Sequence, residues 1–125
     1  MKHLLLDLYG CDPTLLADEE FLRRFLDEVP DRIEMQKVSP ISLYYIDAVT
    51  NPDDAGQSGF VIIATSHASL HAWPPYRMVN IDVFSCEDFD ENAVVAFACE
   101  AFGAQDREVK TVIRATRSPR PLRSG

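Results

Sequence analysis

Residues 64–74, ATSHASLHAWP, carry two of the chain's three histidines, its one tryptophan and two serines. In an extended strand His67, Ser69, His71 and Trp73 share one face, and Ser66, Ala68, Leu70 and Ala72 share the other. Three readings are compatible with those residue types. A zinc site would use His67 and His71 with Cys86 as the third protein ligand, the number that catalytic zinc keeps. A hydrolase would pair Ser66 or Ser69 with a histidine, although the stretch lacks G-x-S-x-G and no acid is placed to orient the base. The third reading is a half-buried strand with a polar face and no chemistry.

The elements that must position these residues follow from periodicity and turn residues. Residues 3–9 (HLLLDLY) are apolar and read as a buried strand. Residues 18–29 place Phe21, Leu22, Phe25, Leu26 and Val29 at helical spacing, with Asp18 as cap and Pro30 as the stop. Residues 31–40 are mixed and carry no assignment. Residues 41–49 are rich in aromatic and β-branched types and read as a strand. The stretch 50–59 (TNPDDAGQSG) is dense in turn formers and reads as a loop. Strands follow at 60–66, 68–73 and 78–85, with a turn forced by Pro74 and Pro75. Residues 88–103 read as a helix, with Asp90 as cap and Gly103 as its end. A final strand covers 107–115. The order is β-α-β-β-β-β-α-β. It predicts an α+β fold, a two-layer sandwich of a largely antiparallel sheet with two helices on one face.

The 125 residues suit one domain, here 3–115, followed by a flexible basic tail over 116–125. A formal net charge of −8 argues against a nucleic-acid partner. No stretch approaches the ~20 apolar residues of a membrane span. Asp7 interrupts the apolar opening, which therefore reads as a strand and not a signal peptide. Three cysteines, Cys11, Cys86 and Cys99, with no secretion signal and no C-x-x-C spacing, predict a reducing cytoplasm and no disulfide framework.

Three separated elements then carry a resemblance: Ser58 in G-x-S-G, Ser66-His67 with His71-x-Trp73-Pro74, and Cys86 ending D-V-F-S-C. With the opening HLLLDLYGCDPTLLAD, they make the chain similar to the small prokaryotic S-adenosylmethionine decarboxylases over 3 to about 114, apart from a divergent 31–55. The resemblance implies a self-processing, pyruvoyl-dependent carboxy-lyase of polyamine synthesis. Ser66 would attack the Thr65 carbonyl, turning the amide into an ester. Elimination would then cut the chain into 1–65 and 66–125 and leave a pyruvoyl group generated from Ser66. The family pattern makes Ser58 and His71 processing residues, His71 the base that removes the α-proton. The substrate amine would form a Schiff base with the ketone, and the group would take up the electrons released with CO₂. Cys86 matches the proton donor, since a thiol keeps its proton at neutral pH. Ser66 and His71 lie on opposite faces of an ideal strand, so their meeting predicts a bulge or break near 66–68. A homodimer of processed protomers is also implied, with its sites at or near the subunit interface and no membrane or nucleic acid involved.

Two positions depart from the family pattern. Thr65 stands where Glu usually precedes the reactive serine. Pro75 stands where W-P-E supplies a Glu for the ribose hydroxyls of S-adenosylmethionine. That loss leaves arginine or ornithine as alternative substrates on the same scaffold, with Asp82 or Glu87 as partners for the distal cation. A non-catalytic homologue that activates a partner subunit is a further alternative. His67 and Ser69 have no assigned role.

Overall fold

Strict alternation of buried and half-buried positions along the N-terminal strand, β1 (Lys2–Tyr9), places Leu4, Leu6 and Leu8 on one face, all fully or almost fully buried. This strand lies inside the sheet, paired antiparallel to β5 (Met78–Ser85) on one side and β6 (Asp106–Ile113) on the other. With β2 (Ser42–Ile46), β3 (Gly56–Ile63) and β4 (Ser66–Trp73) the sheet has six strands in the order β2-β3-β4-β5-β1-β6. Every pairing is antiparallel. The computed structural model describes residues 1–48 and 50–117. All but the first two residues of the tail expected over 116–125 therefore lie outside the described residues.

Two long helices cover one face. α2 (Glu19–Arg32) begins at Asp18, whose carboxylate accepts the Phe21 N–H, and carries Glu19 and Glu20 in its first turn and Arg32 in its last. These charges suit the helix dipole at both ends. α3 (Glu91–Phe102) is capped by Asp90 and ends at Gly103, which takes φ +61°. Leu22, Phe25, Leu26 and Val29 of α2 and Val94, Val95, Ala98 and Phe102 of α3 join one core with Val61, Ile63, Ala68, Leu70, Val79, Ile81 and Val83 of the sheet. Phe25 stacks on Phe97 at 5.2 Å and meets Phe102 edge-on at 4.9 Å, tying the helices together. Each such side chain is worth roughly 1.5–3 kcal/mol when buried. A one-turn helix, α1 (Pro13–Leu16), capped by Asp12, adds to the two helices expected.

The α+β sandwich and the element order match the expectation, and four local expectations need correction. Pro30 lies within the last turn of α2 and does not stop it, because only one amide bond is forgone so near the end. Residues 56–59, expected in a loop, open β3. Their glycines serve close approach: a Cβ would lie 2.7 Å from the Ser42 carbonyl at Gly59 and 2.2 Å from the Ala72 carbonyl at Gly56. The strand expected over 60–66 breaks instead at a two-residue turn, Ala64-Thr65, between the paired Ile63 and Ser66. No bulge interrupts β4, whose pairing with both neighbours is continuous.

The segment after α2, left unassigned from sequence, flanks this turn. Gln36 O accepts the Ala64 N–H at 3.1 Å, Ile62 O accepts the Val38 N–H at 2.9 Å, and Ser39 Oγ accepts the Ile62 N–H at 2.9 Å. Among the described residues the other sheet face carries no helix, and it exposes Tyr44, Ile46, Phe60, Ile62 and Val112. Among the described residues no helix is long and apolar enough to cross a membrane.

Candidate active site

Ala64-Thr65 joins β3 to β4 without glycine or asparagine, and Thr65 takes φ +58°. A β-branched residue in the left-handed region is strained, by roughly 1–2 kcal/mol. Strain of that kind persists only where the surroundings over-determine it. The Thr65 hydroxyl donates to Ala64 O at 2.6 Å, and the Cys86 Sγ lies 2.7 Å from that hydroxyl's own oxygen, Thr65 Oγ1. With the threonine proton engaged, the thiol is the donor in that second contact. Cys86 is half-buried.

Ser66 opens β4 on the helix-covered face and is almost fully buried. Its hydroxyl donates to Ser85 Oγ at 3.0 Å, with Ala64 O at 3.4 Å and Met35 Sδ at 3.6 Å as longer alternatives. Ser85 faces it directly in the β4–β5 register, one residue before Cys86. Thr65, Ser66 and Cys86 thus form one cluster at one end of the sheet.

Ser58 and His71 form another. They face each other across β3 and β4, and Ser58 Oγ lies 2.7 Å from His71 Nδ1. The pair sits on the uncovered face, five positions along β4 from Ser66, which is about 16 Å at ~3.3 Å per residue. The structure therefore brings Ser58 to His71 and Cys86 to Thr65 but does not bring His71 to Ser66 within one chain.

The pocket beside His71, about 320 Å³, is lined by Asp54, Ser58, Trp73, Ile46 and Ala72. The Trp73 indole is fixed by its N–H to Asn80 Oδ1 at 2.7 Å, and Asn80 in turn donates to Asp7 at 2.8 Å. Tyr76 packs edge-on against Trp73 and donates to Asp54 Oδ1 at 3.0 Å, a bond that raises the phenol pKa. Pro75 belongs to the 3₁₀ turn Pro74–Tyr76 and lines a separate pocket with Tyr45 and Gln57.

The remaining sequence candidates are dispersed. His67 and His71 are four positions apart on one strand, about 13 Å, too far to share a zinc ion. Among the described residues no group of three His, Cys, Asp or Glu side chains is placed to hold a metal. His67 packs on Phe84 at 5.5 Å, and Ser69 pairs in register with Phe60 and Asp82. Asp82 is engaged by His3 at 3.0 Å on the open face, and Glu87 contributes its backbone N–H to Ser85. Neither lines the His71 pocket. Cys11 is buried, and desolvation, with a smaller contribution from Cys99, pushes its thiol up to about 11. Ser85, Met35 and Asp54 went unnoticed in the sequence. Ser85 stood within the D-V-F-S-C motif, but only the strand register reveals its partner.

The comparisons agree with this architecture. A solved structure, that of the adenosylmethionine decarboxylase from Aquifex aeolicus, superposes with a TM-score of 0.73 at 24% identity, covering 95% of this chain and 96% of that one. It supports the fold alone. An S-adenosylmethionine decarboxylase proenzyme from Archaeoglobus fulgidus is 40% identical over 87 residues, 70% of this chain and 71% of that one. A relative of the same name from Parasynechococcus marenigrum is 30% identical over 120 residues, 96% of this chain and 86% of that one. The family model for S-adenosylmethionine decarboxylase matches residues 2–115, nearly the whole described chain, and the protein belongs to that family.

Proposed function

We propose that this chain cuts itself between Thr65 and Ser66 and then decarboxylates S-adenosylmethionine with the pyruvoyl group made from Ser66, supplying the product for polyamine synthesis. The observation that carries the reading is the cluster at the β3–β4 turn. There the strained Thr65 peptide, the Ser66 hydroxyl and the Cys86 thiol meet. The residues fit the group: a serine with its hydroxyl already on position 66 is the required precursor, and cleavage at Thr65 releases its strain.

In the cut, Ser66 Oγ attacks the Thr65 carbonyl carbon, the C–N bond breaks and the hydroxyl proton ends on the Ser66 nitrogen. Loss of the Ser66 α-proton then expels the Thr65 carboxylate and leaves a dehydroalanine, whose imine form takes up water and releases the Ser66 nitrogen as ammonia to give the ketone. His71, held by Ser58 through its Nδ1, leaves Nε2 to take that α-proton. The pyruvoyl group supplies a ketone that binds the substrate amine and accepts the electrons released with CO₂. Cys86, whose Sγ contacts Thr65 immediately before residue 66, holds a proton that it would deliver to the substrate carbon.

The separation of His71 from Ser66 in one chain supports a homodimer in which each copy lends its Ser58–His71 pair to the other's Ser66. The uncovered sheet face, which carries that pair and also exposes Phe60, Ile62 and Val112, supplies apolar surface for such an interface. The cytoplasm is its proposed compartment. For the substrate, Asp54 is the carboxylate among the described residues lining the His71 pocket. From this pocket, next to the one Pro75 lines, it offers the acceptor that Pro75 lacks and receives the ribose hydroxyls. Pro75 itself favours a second reading, in which a basic amino acid puts its cation on Asp54. CO₂ release measured side by side with S-adenosylmethionine, arginine and ornithine tests both readings. Turnover of S-adenosylmethionine supports the first, turnover only of a basic amino acid replaces it with the second, and none from a cleaved protein contradicts both.

A further inference from the structure

Ser85 is fully buried, and its hydroxyl is coordinated on three sides. It accepts the Ser66 O–H at 3.0 Å and the Glu87 N–H at 3.0 Å, and its own proton points to Met35 Sδ at 3.4 Å. These bonds use both acceptor sites and the single proton of a serine. The arrangement leaves Ser66 with its proton committed to Ser85 and its lone pairs free. The next oxygen that could take that proton, Ala64 O, is 3.4 Å away and lies upstream of the bond to be cut.

We propose that Ser85 is the positioning residue for self-cleavage, turning the Ser66 hydroxyl so that its lone pairs face the Thr65 carbonyl. The inference rests on the reading that Ser66 is the residue that cleaves. Ser85 acts on the first step alone: Oγ of Ser66 bonds to the Thr65 carbonyl carbon, the Thr65–Ser66 C–N bond breaks, and the Oγ proton finishes on the nitrogen. No co-reactant is needed, and Ser85 begins and ends the step protonated. Met35 and the Glu87 amide hold Ser85 in its rotamer, since a buried hydroxyl is oriented by the bonds it makes. Without Ser85, Ser66 donates to Ala64 O and its lone pairs turn away from Thr65.

The test compares the rate of chain cleavage in freshly made wild-type, Ser85→Ala and Ser85→Thr proteins, with and without hydroxylamine. Hydroxylamine cuts an ester at 65–66 but leaves the amide intact. Thermal unfolding checks that each variant is folded. Ser85→Ala is expected to cleave at least tenfold more slowly and its uncut chain to resist hydroxylamine, because ester formation is the slowed step and no ester accumulates. Ser85→Thr, which keeps the hydroxyl, is expected to recover cleavage. Cleavage of folded Ser85→Ala at the wild-type rate overturns the inference. So does an intact Ser85→Ala chain that hydroxylamine cuts, because the first step would then be sound and the defect later. A wild-type chain that never cleaves contradicts the underlying reading instead.

Discussion

His71 lies five positions along β4 from Ser66 and on the opposite face of the sheet, although the proposed chemistry needs His71 at the Ser66 α-carbon. The proposed homodimer would resolve the conflict, and a mixing experiment tests it. His71→Ala and Ser66→Ala chains should each stay uncut when made alone. Made together, the His71→Ala chain should be cut, because its intact Ser66 meets the His71 of the other copy. An uncut His71→Ala chain in a verified mixed dimer counts against the shared site.

Thr65 is held at φ +58° by its neighbours. Asparagine tolerates that region better than a β-branched residue. Thr65→Asn should therefore stabilise the uncut chain by about 1 kcal/mol, measured by denaturant unfolding in a Ser66→Ala background. In the Ser66 chain it should slow cleavage by up to about tenfold, since the released strain no longer assists the step. Faster cleavage would mean that strain is not used.

Asp54 should decide how firmly the ribose end is held. A hydrogen bond to a carboxylate is worth about 1.5–3 kcal/mol, so Asp54→Asn should raise the KM for S-adenosylmethionine at least about tenfold. The inhibition constant of adenosine should rise in parallel, whereas that of 2′,3′-dideoxyadenosine should stay level. A KM that does not move removes Asp54 from the site.

Lys2 clamps β1 to the start of α3 through Asp88 at 2.5 Å and Glu91 at 2.6 Å. The hydrogen bonds from Lys2 hold both carboxyls below their ordinary values of 3.8 and 4.5 and lift the ammonium above 10.5. Depressed carboxyl values mean stability that is present above the unfolded values and lost as pH falls through the folded ones. The raised ammonium means stability that is lost only as pH rises through its folded value. The Tm of the wild type should therefore exceed that of Lys2→Met at neutral pH, with the gap closing towards pH 2. A gap that persists there would trace to the lost stem of Lys2 and not to its charge.

The candidate residues Ser58, Ser66, His71 and Cys86 were picked out through the resemblance to the decarboxylase family, because their types and spacing alone left a zinc site, a hydrolase and a plain polar strand open. The capped ends of α2 and α3 were legible, since Asp18, Asp90 and Gly103 act locally. The turn at Ala64-Thr65 was not, because it uses neither glycine nor asparagine and obtains its left-handed residue by strain. Gly56 and Gly59 misled in the opposite sense, signalling a turn while serving close strand packing. Ser85 and Asp54 became visible only once register and a 3₁₀ turn had brought distant residues together.

The central claim is that the chain makes its own reactive group at Ser66, and intact-mass measurement of the purified protein tests it most directly. Two fragments are expected, 1–65 ending in the Thr65 carboxylate and 66–125 beginning with a pyruvoyl group and carrying no free amine, while Ser66→Ala gives one uncut chain. A wild-type protein that remains a single chain after long incubation would contradict the account.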